Sequence, residues 1–338
     1  MRYTFDTEVF FFNAQTDYLP YYKHFRIEMD GAEPLKALLA EIRRRNDNFA
    51  YPNRRLLVRV NGVVCNGEES LDSVALKLGT SLKIEPASAY RSTHCLVMND
   101  DDFKEAYATV EAFCDEEDKA FFDKLYALHY ASATYEYDKS YKGDALIALA
   151  HHLVKKYPEK ADAIVEAVKK TLDMCEYENA LFEPYDLQPA LEALRAHTAQ
   201  KQGLVETLKA RFYKEGSEVA TPKAPIHDGG VAIYGEDGDE AVASALKAKG
   251  ARLVTFAKAT RKNGRSILKS ARELALRKAA AVLLDAFDNG ATTLVCTDDA
   301  DARYFLENFK AITRAAGRDI PLRVTSAEAL GLKTAQAA

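Results

Sequence analysis

ARLVTFAKATRKNGRSILKSARELALRKAAAVLLDAFDNGATTLVCTDDADA, residues 251–302, states the architecture of the C-terminal part of this chain. Leu253–Ala257 is a short apolar run, Ile267–Asp288 is a long helical pattern closed by Gly290, and Thr292–Cys296 is a second run rich in β-branched residues. Strand, helix and strand in this order require a crossover, which gives parallel strands covered by helices. The same alternation extends outward. A strand at Val231–Tyr234 and a helix at Ala241–Lys249 precede the stretch, and a helix at Tyr304–Ala316 and a strand at Pro321–Val324 follow it. Residues 230–338 are therefore expected to form a parallel α/β domain. Ligands of such sheets gather at the carboxyl ends of the strands, which here means the loops Lys258–Arg265 and Thr297–Asp301.

Upstream, KEGSEVATPKAPIHDGG begins at Lys214 and holds few large apolar residues, so residues 214–229 read as an interdomain linker. Residues 101–213 are helical in pattern. Phe103, Tyr107 and Val110 keep one face apolar, and Leu146, Leu149 and Leu153 keep another before Pro158. Residues 1–100 are strand-rich around one helix. Strands are expected at Tyr3–Asn13, His24–Met29, Leu56–Asn61, Leu82–Glu85 and Cys95–Met98, with Leu35, Leu38, Leu39 and Ile42 at helical spacing behind Pro34. That order is the order of a β-grasp domain. The fold class is thus multidomain, α+β followed by α/β.

Composition narrows the function. Of 338 residues 48% are hydrophobic and 29% charged, the balance of a globular chain with real cores. A net charge of −5, with both signs interspersed, supplies no field that would recruit nucleic acid or anionic lipid. No apolar run approaches a membrane span, and the N-terminal MRYTFDTEVF lacks the features of a secretory signal, so a cytoplasmic location is expected. The five cysteines, Cys65, Cys95, Cys114, Cys175 and Cys296, include no Cys-x-x-Cys pair. Metal and cluster sites favour such pairs because one short loop then aims two thiolates at one centre. Plain buried thiols are the expectation, and no cofactor is expected.

Two loops carry chemistry. Lys258, Arg261, Lys262 and Arg265 precede a helix start expected at Ser266, a pattern that offers an anion site; a solvated basic turn is the alternative. Asp298, Asp299 and Asp301 offer either a hard-cation site or an N-terminal helix cap. If the loops lie at adjacent strand ends, ion pairs between them would close the gap. His151–His152 and His94–Cys95 are neighbours in sequence and point in different directions, so neither is expected to share a metal. The tyrosines of YASATYEYDKSYKG, residues 130–143, suit an interface or a core.

Three segments resemble respiratory iron–sulfur subunits. LLVRVNGVVC (56–65) and LKIEPASAYRSTHCLVMNDDDF (82–103) are similar to the N-terminal ferredoxin-like domain of succinate dehydrogenase and fumarate reductase iron–sulfur subunits, with Asn61, Gly62, Ile84, Pro86 and Asp100–Phe103 fitting. The loop that would carry three cluster cysteines reads NDNFAYPNRR (46–55), and Cys65 stands near the fourth position. MCEYENALFEPYDLQPALEAL (174–194) resembles the second cysteine run of the helical domain, with Cys175 at the first ligand position and Glu178 and Leu181 at later ones; the first run would fall in LHYASATYEYD (128–138). ATRKNGRSIL (259–268) and NGATTLVCTDDADA (289–302) resemble the CCG domain of heterodisulfide reductase, with Gly264, Gly290 and Ala291 matching. There Lys262 and Asn263 stand before Gly264, and Asp298 and Asp301 replace the closing cysteine pair, beyond Cys296.

The resemblance implies a β-grasp ferredoxin-like domain, a helical ferredoxin-like bundle and a CCG-like domain, each without its cluster ligands. It implies a non-catalytic interaction or assembly subunit whose partner is a flavoprotein or iron–sulfur subunit of a respiratory complex, reaching a membrane only through that partner. The alternatives are an electron-transfer subunit of such a complex and a small-anion binding protein using residues 258–265.

Overall fold

The computed structural model of the chain describes residues 1–210, 229–235 and 240–332, with residues 200–210 described by backbone alone. Met1–Leu172 and Asn179–Ala199 form one compact unit; Asp173–Glu178 group with the described part of Gln200–Ala338 in a second. The stretch expected over 1–100 and most of the one expected over 101–213 thus share the first unit, while residues 173–178 and the described residues from Gln200 onward group with the second. The linker expected at 214–229 lies outside the described residues but for Gly229.

The first unit opens with the hairpin β1 (Arg2–Phe11) and β2 (Tyr21–Asp30), then α1 (Leu35–Arg45), β3 (Leu57–Val60), β4 (Val63–Asn66), α2 (Leu71–Leu78) and β5 (Ser81–Pro86). These strands make one mixed sheet in the order β2-β1-β5-β3-β4, parallel only between β1 and β5. On α1 the residues Leu35, Leu38, Leu39 and Ile42 are fully buried and meet Phe5, Val9, Val58 and Ile84 of the sheet. The β3–β4 turn is Asn61-Gly62, at φ 48° and 85°, the backbone that a two-residue hairpin needs. The Asn61 amide donates to the carbonyls of Leu78 and Ser81, fixing the turn to the neighbouring chain. β4 and α2 escape a sequence reading because each is short; Ser70 caps α2 through the Ser73 N–H.

The strand expected at Cys95–Met98 is instead two short ones, β6 (Ser92–His94) and β7 (Val97–Met98), because Cys95 takes φ 50° and turns the chain between them. Helices follow: α3 (Asp101–Ala108), α4 (Glu116–Lys124), α5 (Tyr126–Ala131), α6 (Thr134–Tyr137), α7 (Asp144–Lys156), α8 (Ala161–Met174) and α9 (Gln188–Ala210). Residues Asp144–Ala150 of α7 are buried on every side, the mark of a central helix. Of the tyrosine-rich segment, Tyr130 and Tyr141 are buried.

His129 is fully buried within this helical region. Its Nε2 lies 2.9 Å from the Tyr135 hydroxyl and 3.5 Å from Asp102 Oδ2. Asp102 in turn accepts from Arg91 Nε and the Tyr130 hydroxyl, both at 2.8 Å. Burial holds the His129 pKa below its ordinary 6.5, against the pull of Asp102. The unfolded chain therefore binds the extra proton first as pH falls. The stability from a neutral His129 is complete above about pH 6.5 and is lost below it, at up to about 1.4 kcal/mol per pH unit. Urea unfolding between pH 7.5 and 5 is expected to show this slope, and His129→Gln to flatten it. His151, also lowered by burial, remains in the variant, so equal slopes in the two chains would dismiss His129 as the source.

The second unit alternates β8 (Gly230–Tyr234), α10 (Glu240–Ala248), β9 (Arg252–Val254), α11 (Arg272–Asp288), β10 (Ala291–Cys296), α12 (Asp299–Ala316) and β11 (Arg323–Ser326). All four strands are parallel, in the order β11-β10-β8-β9. Period-two alternation sorts the side chains. Val231 and Val295 join Val242 and Leu246 on one face, while Ala232, Leu294 and Cys296 join α11 and α12 on the other. Covered on both faces, the strands read as the apolar runs seen in the sequence.

Two helix boundaries differ from expectation, and both differences shape the site. The helix expected from Ile267 begins at Arg272, after Gly264 in a left-handed conformation and a tight 3-10 turn at Arg265–Ile267. The helix expected from Tyr304 begins at Asp299, because Asp298 caps it by accepting the Ala300 N–H at 2.9 Å. The acidic stretch is thus the first turn of α12.

Candidate functional site

Strand order reverses between β8 and β10: the chain leaves β8 toward β9, then crosses back to β10 and β11. The carboxyl ends of β8 and β10 are therefore the switch point of the sheet. Gly235 and Thr297 meet there so closely that a side chain at Gly235 would collide with the Thr297 hydroxyl. The loop after β9 folds toward this point, tied by the Tyr234 hydroxyl donating to the Arg261 carbonyl at 2.7 Å. Beside it, a groove of about 290 Å³ is lined by Ile233, Leu253, Val254, Phe256 and Ala259.

The basic loop and the start of α12 meet. Arg265 reaches Asp301 at 2.7 Å and Asp298 at 3.1 Å. Asp301 also accepts from the Asn263 side chain at 3.0 Å, and both Asn263 and Asp301 are buried. The Arg265 N–H closes back on Asn263 Oδ1 at 2.9 Å. Asp299 takes a different direction, accepting from the Ser326 hydroxyl and pairing with Arg303. Reversing Asp301 to Lys places two cations against each other in a buried setting and is expected to cost about 3 kcal/mol or more. Asp298→Lys, at an exposed cap, is expected to cost about 1 kcal/mol. Thermal unfolding of both variants checks this, and equal shifts would deny the inner pair its larger role.

A second set of carboxylates comes from residues 173–178. Glu176 is buried, and its carboxylate accepts from Lys278 Nζ at 2.5 Å, the Ser266 hydroxyl at 2.6 Å and the Gly264 N–H at 3.0 Å. Lys278 is fully buried. Glu178 pairs with Arg261 at 2.7 Å and accepts the Lys262 N–H at 3.4 Å. Burial raises the Glu178 pKa, opposed by Arg261 and Lys278. The Ser270 hydroxyl donates to the Asp173 carbonyl at 2.7 Å, fastening the segment at its other end.

Of the four cations read as an anion site, the structure thus joins Arg261 and Arg265 to carboxylates of the chain itself. Lys262 contributes its backbone N–H, and Lys258 donates its own to Asp285 at 2.7 Å. The free helix N–H groups expected at Ser266 belong to a 3-10 turn instead, where the Gly264 N–H and Ser266 hydroxyl converge on Glu176.

Cys65 is buried in the first unit, where its thiol is 3.6 Å from the Val63 carbonyl and burial pushes its pKa up to about 12. Cys175 and Cys296 are buried in the second unit. Burial, with Asp301, Asp298 and Asp299 nearby, pushes the Cys296 thiol well above its ordinary value. Among the described residues no three His, Cys, Asp or Glu side chains converge as a metal site, and no helix is long and apolar enough to cross a membrane.

Sequence reasoning missed Glu176 and Lys278. Lys278 did leave a signal, since it stands on the α11 stripe Leu274, Ala275, Ala279 and Val282, where every other residue is apolar and buried.

No family model and no curated protein matches the chain. Several solved structures are similar, two of them as follows. "Crystal structure of a hypothetical protein from Helicobacter pylori" aligns at 14% identity and TM-score 0.50, over 95% of this chain and 70% of that one. "Mycobacterium smegmatis Sdh1 complex in the apo form" aligns at 11% identity and TM-score 0.46, over 60% of this chain and 98% of that one. The first is a likeness of fold.

Proposed function

We propose that this chain is a non-catalytic interaction or assembly subunit related to respiratory iron–sulfur subunits, in which ion pairs replace the clusters. In this reading the N-terminal sheet is a β-grasp ferredoxin-like domain, the helices after it a helical ferredoxin-like bundle, and the parallel sheet a CCG-like domain. One observation carries the proposal. The positions that the resemblance assigns to cluster ligands in the last domain hold Lys262, Asn263, Asp298 and Asp301; Asn263, Asp298 and Asp301 are joined through Arg265, and the Lys262 N–H is held by Glu178. A network of this kind fixes the geometry of a loop region, which is what a docking surface needs after the loss of a cluster.

The thiols support the same reading. A cluster binds thiolates, and burial disfavours the thiolate at Cys65 and at Cys296. The partner is a flavoprotein or iron–sulfur subunit of a respiratory complex. The test is metal and sulfide analysis with a visible spectrum on protein purified without oxygen, followed by capture of the partner on the tagged chain. Iron-free, colourless protein that retains a flavoprotein or iron–sulfur subunit is the expected result. Bound iron with a charge-transfer band would replace this reading with an electron-transfer subunit.

A further inference from the structure

We propose that the second unit contains a pocket for a single carboxylate, built from Lys278 Nζ, the Gly264 N–H and the Ser266 hydroxyl, and that Glu176 is its tethered occupant. The pocket stands on these contacts alone, whether or not the chain docks a redox partner. Its donors come from three separate places, the α11 helix, the loop after β9 and the turn that follows, and all three point at one carboxylate. Both oxygens are served: Oε2 takes Lys278 and Gly264, and Oε1 takes Ser266. A cation, a backbone N–H and a hydroxyl aimed at two oxygens is the arrangement that recognises a carboxylate of any origin.

The occupant comes from residues 173–178, which group with this unit although the chain on either side of them groups with the other. Glu176 therefore behaves as a ligand carried on a short strap and not as a residue of the sheet or its helices. The pocket walls are fixed without it. Lys278 is fully buried on α11, and Gly264 is pressed against Ala275 of the same helix, where a Cβ would lie 2.6 Å from the Ala275 backbone. Ser266 is exposed, so the pocket has a solvent edge through which a small molecule enters once the strap side chain is gone.

Glu176→Ala deletes one methylene carbon and the carboxyl group, and acetate has those same heavy atoms. The expected result is that sodium acetate at neutral pH stabilises Glu176→Ala with half-saturation in roughly the millimolar range, about 1 kcal/mol for each of four heavy atoms and within what so small a ligand supports. At about a tenfold excess over that value the melting temperature rises by roughly 3–6 °C relative to sodium chloride of equal ionic strength. Wild type does not respond over the same range, because a tethered carboxylate holds the pocket at a high effective concentration. Adding Lys278→Met to Glu176→Ala abolishes the acetate effect. Acetate that acts no better than chloride, or that acts equally on the double variant, would overturn the proposal. If Glu176→Ala is insoluble, it is refolded from urea in acetate and in chloride. Recovery in acetate alone supports the pocket, and failure in both, or equal recovery in both, overturns it.

Discussion

Lys278→Met is expected to destabilise the second unit by about 3–5 kcal/mol, the cost of leaving a buried carboxylate without its cation. The volume of the side chain is nearly kept, so little of this loss comes from packing. What changes is the environment of Glu176, which is 5% exposed and keeps only the Gly264 N–H and the Ser266 hydroxyl among its three donors. An uncompensated charge there either protonates or draws water into the core, and each costs stability. Glu176→Gln alone makes the complementary error, taking the Glu176 charge away from an ammonium that is 0% exposed. The double variant Glu176→Gln with Lys278→Met removes both charges, and should recover most of the loss, since neutral replacement of a buried pair is commonly near neutral. Urea unfolding of the four chains gives the coupling directly. If the double variant is as damaged as the sum of the singles, the pair is not interacting as described.

That pair also marks the limit of what the sequence discloses. Strand and helix order in the second unit was legible because period-two and period-3.6 patterns are local, and both cores follow from them. Gly264, Asp298 and Asp301 were legible as punctuation and as charges in loops at strand ends. The partner of the basic loop was not. Glu176 is 88 residues from Gly264 and 102 from Lys278, and nothing local distinguishes it from the acidic residues around it. Charge pairing over such separations is a property of topology. Lys278 is the instructive case: a lysine in the apolar stripe of a helix is expensive to bury without a counterion, so its presence announces a buried carboxylate without saying which. The misread helix starts have a local cause by contrast. Asp298 satisfies an N–H that would otherwise be orphaned and so extends α12 backward, while the left-handed Gly264 interrupts the pattern that α11 resumes at Arg272.

Gly264→Ala is expected to cost about 3 kcal/mol or more, and Gly290→Ala about 1 kcal/mol, although both glycines have positive φ. Gly264 sits at φ 88° and Gly290 at φ 92°, so the conformational penalty of a side chain is the same at each. Their surroundings differ. At Gly290 an added Cβ meets nothing within 4 Å, whereas at Gly264 it lies 2.6 Å from both the Cα and the carbonyl oxygen of Ala275. Those are backbone atoms inside α11 and cannot rotate aside, so the loop must move away from the helix. Movement takes the Gly264 N–H off the Glu176 carboxylate and disturbs Ser266 two residues later, which converts a steric error into an electrostatic one. Thermal unfolding of the two single variants separates the contributions, since the shift common to both is the backbone strain and the excess at Gly264 is the close approach. Equal shifts would mean that the loop yields freely, and that its distance from α11 has no part in holding the carboxylate donors in line.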